Sequence, residues 1–176
     1  MKTIITTIIL ILTLNLISQN LYDNESNKLE KSSYVFYVHG LGNFNPENLL
    51  KVKNIMRSNF GVECVIEDSY PIYDYELTNE GHIDINRIGV LNKNGNHIFI
   101  TTKKLRKDGL KVVGFRRNTN MIISDIDVTQ TTLLHEFAHI LGLSHCEDTN
   151  CIMYFKETGS TDFCYSCKKM LNSLQN

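Results

Sequence analysis

Residues 135–145 read HEFAHILGLSH and fit the spacing HExxHxxGxxH. His135 and His139 are four positions apart, so on a helix both imidazoles project from one face and can bind one metal ion. Glu136 follows the first ligand and is placed to reach a metal-bound water without binding the metal itself. Gly142 can adopt the positive φ that ends a helix, which brings His145 back as a third ligand. Three protein ligands leave a fourth position open, as in catalytic zinc sites.

Length and charge restrict the remaining possibilities. The chain has 176 residues, enough for one compact domain with a hydrophobic core. Its formal net charge is -1 and it has no dense cluster of Lys and Arg, which excludes nucleic acid as the expected partner. The pair Arg116-Arg117 is interpreted as part of a solvated turn, with contact to a substrate as the alternative. We expect a monomer.

The N-terminus has the pattern of a secretory signal peptide over residues 1–18. Lys2 gives a positive start, and Ile4 to Ile17 is apolar apart from Thr and Asn15. The run is short for a membrane span, so we expect a secreted or periplasmic protein with no stable span after signal removal. The alternative is an uncleaved N-terminal membrane anchor. Residues 19–33 are interpreted as a flexible leader, and residues 34–176 as the folded domain.

The order of elements in the folded part favours an α+β domain. Tyr34–Val38 and Val62–Glu67 are aromatic and β-branched runs typical of buried strands, and residues 39–42 are predicted to turn the chain. Asn45-Pro46 is a helix start, with Asn as N-cap and Pro at the first helical position, and Gly61 ends the helix. Strand, helix and strand in this order imply a parallel pair with a crossover helix.

Further elements are predicted downstream, and a capping-box spacing between Asp127 and Gln130 marks the start of the last of them. In chain order they are a helix at Ile83–Leu91, a strand at His97–Thr102, a charged connection at Lys103–Gly109, paired strands at Val112–Phe115 and Met121–Ser124 flanking an Arg/Asn-rich turn, and the active-site helix from about Val128 to Leu141.

Four of the five cysteines follow the histidine motif: Cys146, Cys151, Cys164 and Cys167. A CxxC with a second pair nearby fits a four-thiolate zinc site, which is tetrahedral and closed. An oxidising compartment would allow two disulfides instead, and the sequence leaves both readings open. Cys64 lies in an apolar strand and is interpreted as a buried, inert thiol.

Taken together, these residues resemble the archaemetzincins, a branch of the metzincin metalloproteases. The family hallmark is HExxHxxGxxHC followed by CxM and a later CxxC, and Met153 matches the position of the Met-turn, the loop under the catalytic metal. The resemblance implies a zincin-like fold: a twisted mixed β-sheet with a backing helix, an active-site helix and a small Cys-rich C-terminal part. It also implies two zinc ions per chain. The expected ligands are His135, His139 and His145 for a catalytic zinc, and Cys146, Cys151, Cys164 and Cys167 for a structural zinc.

The motif and the resemblance predict zinc-dependent hydrolysis of peptide bonds in a peptide or protein substrate, with Glu136 as general base on a metal-activated water. By this resemblance, Met121–Ser124 lies near the edge strand that holds an extended peptide. The alternative is a zinc-containing binding or structural protein with little peptidase activity. The intact Glu136 favours the enzyme, because a purely structural zinc site does not need it.

Overall fold

The structure is a computed structural model that describes residues 35–124, 130–155 and 160–174. The predicted signal peptide (1–18) and leader (19–33) lie outside these residues and stay predictions, as does the capping box at Asp127. No helix in the described ranges is both long and apolar enough to cross a membrane.

The described residues form three helices and eight strands. In chain order they are β1 (Val35–Gly40), α1 (Pro46–Phe60), β2 (Glu63–Ile66), β3 (Ile83–Asp84), β4 (His97–Thr101), β5 (Leu105–Lys107), β6 (Leu110–Val112), β7 (Gly114–Arg117), β8 (Asn120–Ser124), α2 (Gln130–Ile140) and α3 (Tyr165–Leu174).

A five-stranded mixed sheet forms the centre of the domain, with strand order β2-β1-β4-β8-β7. The first four strands in this order are parallel to one another, and β7 pairs antiparallel with β8 at one edge. The predicted parallel pair of β1 and β2 around a crossover helix is confirmed. The predicted α+β class with a mixed sheet, a backing helix and an active-site helix is confirmed as well.

The crossover helix α1 begins and ends where the sequence predicts. The side chain of Asn45 accepts a hydrogen bond from the Glu47 backbone at 3.0 Å, and Pro46 occupies the first turn. Gly61 adopts φ 66° and ends the helix, a conformation that costs a residue without Cβ little. Four apolar side chains of α1 are buried in the core: Leu49, Val52, Ile55 and Met56.

The two faces of the sheet pack against different partners. Ile98 and Ile100 of β4 belong to the core that also contains buried residues of α1, α2 and α3, whereas Phe99 between them belongs to a second core. Met121 and Ile123 of β8 alternate with Ile122 in the same way. This alternation follows from the two-residue period of a strand, and it places the active-site helix on one face of the sheet only.

The second core is covered by a segment that the sequence predicted wrongly. The predicted helix at Ile83–Leu91 is instead the short strand β3, a turn and a 3-10 turn at Val90–Asn92. Asp84 breaks a helix here, because its side chain accepts the Asn86 backbone N–H at 3.0 Å and so forms a local turn.

The predicted connection at Lys103–Gly109 contains strand β5, which pairs with β3 and with β6 in a small three-stranded sheet. Its hairpin turns at Asp108 (φ 51°) and Gly109 (φ 79°). Two positive φ angles in an Asp-Gly pair are typical of a type I′ hairpin turn, so this dipeptide was a signal for the hairpin.

Two predicted turns are shorter than expected. Strand β1 continues through His39 and Gly40, and the chain reverses only at Gly42, where φ is 58°. Arg116 and Arg117 lie within β7, and the turn between β7 and β8 falls at residues 118–119, where Asn118 has φ 56°. Arg116 and Arg117 are therefore strand residues whose side chains leave opposite faces.

A buried polar residue ties the central strands to the 3-10 turn. Asn120 is 1% exposed. Its side chain accepts from the backbone N–H of His97 at 2.9 Å and donates to the carbonyls of Leu91 and Lys93 at 3.2 and 2.6 Å. His97 in turn contacts His39 on β1, with 2.9 Å between ring nitrogens. Both imidazoles are buried in the fold, and neither belongs to the predicted metal ligands.

Asn120→Ala should lower the free energy of unfolding by about 2–4 kcal/mol, because it leaves a buried backbone N–H and two carbonyls without partners. Chemical denaturation measures this change. Asn54→Ala, at an exposed position of α1, is the matched control and should change stability by less than about 0.5 kcal/mol. Equal stability of the two variants would contradict the role assigned to Asn120.

Candidate metal centres and cleft

The end of helix α2 sets the position of the third histidine. The backbone N–H of Gly142 donates to the His139 carbonyl at 3.1 Å, and that of Leu143 donates to the Ala138 carbonyl at 3.0 Å. With φ 95° at Gly142, this pair of bonds is the Schellman arrangement, which reverses the chain at a helix C-terminus. The reversal predicted from Gly142 is present, and His145 returns toward the helix face that carries His135 and His139.

The three predicted imidazoles converge on one point. Nε2 of His139 lies 3.1 Å from Nε2 of His135 and 3.2 Å from Nε2 of His145. Nδ1 of His135 donates to the Ile152 carbonyl and Nδ1 of His139 donates to the Leu143 carbonyl, both at 2.7 Å. Each of these bonds fixes the tautomer that leaves an Nε2 lone pair free. Lone pairs that face each other at such distances repel, so the donor set fits a cation between them.

Burial favours the neutral form that a ligand imidazole needs. Desolvation lowers the pKa of His135, opposed by its hydrogen bond to Ile152. Desolvation also lowers the pKa of His139, with further lowering from the neighbouring imidazoles and from Arg116. Both rings are therefore uncharged near neutral pH, which is a requirement for metal binding.

Glu136 is held between the active-site helix and the edge strand. It is 9% exposed, and burial raises the pKa of its carboxyl to about 7, while the charge of Arg116 opposes this rise. It packs directly against Gly114 of β7: a Cβ at Gly114 would lie 2.8 Å from Glu136 Cγ and 3.0 Å from Oε1. Only glycine leaves room for the carboxylate in this position.

The four C-terminal cysteines form a second cluster. Their Sγ atoms all lie within 4.8 Å of one another, and all five cysteines of the chain are unpaired thiols in this structure. Sulfurs around a tetrahedral zinc are roughly 3.8 Å apart, given Zn–S bonds of about 2.3 Å. A hydrogen bond from the Cys167 backbone lowers the pKa of Cys164, and the Cys164 backbone N–H donates to Cys151 Sγ at 3.2 Å. The donor set therefore fits one thiophilic cation.

The two clusters share one stretch of backbone. Cys146 follows His145 directly, and its N–H donates to the Met153 carbonyl at 2.9 Å. The neighbouring Ile152 carbonyl is the acceptor for His135. The turn at residues 151–154 thus belongs to the cysteine cluster and also orients the first histidine. Met153 is fully buried in this turn, at the position predicted for the Met-turn.

Three other residues with titratable side chains, Cys64, His82 and Tyr154, lie outside this arrangement. Cys64 is 1% exposed and burial raises the pKa of its thiol to about 11, as expected of an inert core cysteine. His82 contacts Glu80 and Arg106 on the surface. The Tyr154 ring packs against Phe155, and nothing places its hydroxyl at the histidines.

A cavity of about 410 Å³ lies on the small sheet, lined by polar residues between Thr78 and Gly109. Its charged groups pair with one another, Arg87 with Asp84 at 3.1 Å and Arg106 with Glu80 at 3.7 Å. No predicted site residue lines this cavity, so its size carries no argument for function.

Three contributors to the site were missed from the sequence: Gly114 and the carbonyls of Leu143 and Ile152. A backbone carbonyl leaves no trace in a sequence pattern, because every residue has one. Gly114 carried a weak signal, since a glycine inside a strand marks a close approach of another group. The sequence did not show that this group would be Glu136.

The sequence of the chain is similar to sequences of known archaemetzincins. The family model described as Peptidase family M54 matches residues 89–173. The archaemetzincin of Thermococcus kodakarensis is 27% identical over 108 residues, which is 53% of this chain and 56% of that protein. The matched segment thus spans little more than half the length of this relative.

Solved structures show the same fold. The crystal structure of archaemetzincin from Archaeoglobus fulgidus, complexed with malonate, superposes with a TM-score of 0.67 at 18% identity, covering 77% of this chain and 99% of that one. Archaemetzincin from Methanopyrus kandleri gives 0.66 at 18% identity, covering 82% and 96%. A zinc-dependent peptidase from Methanocorpusculum labreanum gives 0.58 at 15% identity, covering 78% and 100%.

The fold and the paired His and Cys clusters define an archaemetzincin-like α+β domain. Residues 89–173 thus match peptidase family M54, and the fold resembles that of the archaemetzincins.

Zinc titration of the metal-free protein should end at two ions per chain. His139→Ala should remove one ion and Cys164→Ser the other, because each variant takes one ligand from one cluster. Metal analysis of the purified variants measures the counts, and circular dichroism checks their folding. One zinc ion in the wild type together with four oxidised sulfurs would show that the cysteines form two disulfides instead of a zinc site. Two zinc ions in His139→Ala would contradict the histidine site.

Proposed function

We propose that the protein is a zinc-dependent peptidase whose catalytic ion is held by His135, His139 and His145. The observation that carries this proposal is the convergence of three Nε2 atoms beside a buried carboxylate on the same helix. These residues would hold a zinc ion, which would supply an activated water and polarisation of the scissile carbonyl. Cys146, Cys151, Cys164 and Cys167 are proposed to hold a second, structural zinc ion.

Glu136 acts as the general base in this proposal. Its carboxylate accepts a proton from the attacking water and returns it to the leaving amine. A pKa of about 7 in the buried site suits this role, because proton transfer in both directions is efficient when the pKa lies near the working pH. Gly114 keeps the carboxylate against the edge strand and so fixes its direction.

The substrate is proposed to bind as an extended peptide along β7. This strand is the last in the order of the five-stranded sheet, and no described strand pairs with its outer edge. An exposed edge offers backbone N–H and carbonyl groups to an added strand. The predicted peptide-binding edge near Met121–Ser124 is thus β7, the direct neighbour of β8.

The alternative is a zinc-containing binding protein with little turnover. It is disfavoured by the loss of stability that burial of the Glu136 carboxyl causes. A buried carboxyl that bonds no other described side chain is unfavourable for stability, and a purely structural site would not require it. Incubation of the zinc-loaded protein with a mixed peptide library, with and without a chelator, separates the two functions.

Export of the chain stays a prediction from its N-terminal pattern, which sequencing of the mature N-terminus would test.

Glu136→Gln should keep both zinc ions and lower kcat at least about 100-fold, since the amide cannot accept the proton. Peptide hydrolysis and metal content are measured on the same sample. Glu63→Gln, at an exposed position of β2, is the control that should retain full activity. A Glu136→Gln variant with unchanged hydrolysis would overturn the mechanism.

Gly114→Ala should lower kcat by roughly 10- to 100-fold with the zinc content unchanged, because the new methyl group displaces the Glu136 carboxylate. Gly89→Ala is the matched control, since its only close neighbour would be an ordinary contact at 3.7 Å to Glu76. Steady-state kinetics compare the two. Equal kcat values in both variants would show that the contact with Gly114 does not position the base.

A further inference from the structure

We propose that Arg116 is a specificity-determining residue that binds a carboxylate of the substrate, close to the scissile bond. The inference rests on the proposed peptidase function and names the class of substrate: peptides with an acidic side chain, or a free C-terminal carboxylate, within about two residues of the cleaved bond. Four observations on strand β7 carry it.

Arg116 leaves the edge strand on the same face as Gly114. The Cβ position of Gly114 points at the Glu136 carboxyl group, with 2.8 Å to Cγ. Side chains two apart in a strand share a face, so Arg116 extends toward the active-site helix, about 7 Å along β7 from Gly114. An extended substrate beside β7 advances by the same distance in two residues.

The charge of Arg116 reaches the site. The Arg116 guanidinium is among the groups that lower the pKa of Glu136 and the pKa of His139. These two residues lie about one turn apart on α2. A fixed positive charge near a proposed zinc site weakens binding of a dication. Its position is understandable if an anion arrives with the substrate and neutralises it.

Arg116 is available for such a partner. It is exposed, and among the described residues no carboxylate lies within salt-bridge distance of it. The hydrogen bond that its guanidinium donates to the Asn118 carbonyl is long, at 3.4 Å. A free guanidinium matches a carboxylate with two parallel N–H···O bonds.

The neighbouring Arg117 shows the contrast. Its guanidinium donates to Asn92 Oδ1 in the 3-10 turn at 2.9 Å and to the carbonyl of Ile85, the residue after β3, at 3.2 Å. Arg117 is therefore held by two polar contacts, while Arg116 lies on the face of Gly114 with only the long bond to Asn118.

The test compares cleavage of peptide libraries by the zinc-loaded wild type, Arg116→Gln and Arg116→Glu. Lys111→Gln, which removes an exposed charge from neighbouring β6, is the control. The wild type and the control should prefer Asp or Glu within two residues of the cut, or cuts near a free C-terminus. Arg116→Gln should lose this preference, with kcat/KM for the preferred peptides falling about tenfold or more, and Arg116→Glu should shift it toward Lys and Arg.

Libraries with amidated C-termini distinguish the two sources of the carboxylate. A preference that survives amidation belongs to an acidic side chain, and one that disappears belongs to the chain terminus. A wild type without any preference for a carboxylate, or an Arg116→Gln variant that retains it, overturns the proposal. An Arg116→Gln variant that slows all peptides equally through kcat also overturns it, because Arg116 would then act only on Glu136.

A binding measurement keeps this inference separate from the peptidase proposal. Zinc-loaded Glu136→Gln should bind an acidic peptide more tightly than its Gln-substituted counterpart, as followed by fluorescence anisotropy, and addition of Arg116→Gln should abolish the difference. If the wild type cleaves nothing but this difference is present, the peptidase proposal fails and the carboxylate site stands. If peptides are cleaved and the difference is absent, the reverse holds.

Discussion

Two hydrogen bonds from imidazole Nδ1 to backbone carbonyls determine the site. His135 and His139 each use Nδ1 to contact a carbonyl at 2.7 Å, and so turn a bare Nε2 toward the third histidine. Without these bonds the rings could rotate, and either nitrogen could carry the proton. The acceptors, Ile152 and Leu143, lie outside α2, so the helix alone does not make the site.

The two acceptors depend on different parts of the fold. Leu143 is held by the Schellman end of α2, which requires the positive φ of Gly142. Ile152 is held by the turn that carries Cys151 and that bonds to Cys146. The cysteine cluster and His135 are thus connected through one turn of backbone.

The residues of the two donor clusters are local in sequence, so their spacing already suggested both clusters, and their role as metal ligands stays a prediction. All seven proposed ligands lie between His135 and Cys167, and their spacing alone suggests two donor sets. The crossover helix α1 was equally clear, since Asn45-Pro46 and Gly61 are strong boundary signals. Long-range contacts were not predictable in this way. Gly114 meets Glu136 across 22 positions of sequence, through the packing of α2 against β7.

The errors have local physical causes. Ile83–Leu91 has apolar residues that resemble a helical stripe, but Asp84 prefers a side-chain turn, and the isoleucines fill the second core from irregular backbone. Arg116 and Arg117 lie in β7, not in the turn predicted for them. The turn signal was instead Asn118, whose positive φ an Asn tolerates better than most residues. Arg116 is therefore a residue of the edge strand β7.

The central claim is that three imidazoles hold one cation and leave it open to a substrate. Anomalous diffraction at the zinc edge from crystals of the zinc-loaded protein tests it most directly. We expect one peak about 2.0–2.1 Å from each Nε2 of His135, His139 and His145, with no fourth protein ligand, and a second peak about 2.3 Å from four sulfurs. Absence of the first peak in fully loaded protein, or a fourth side chain completing its coordination, would contradict the account.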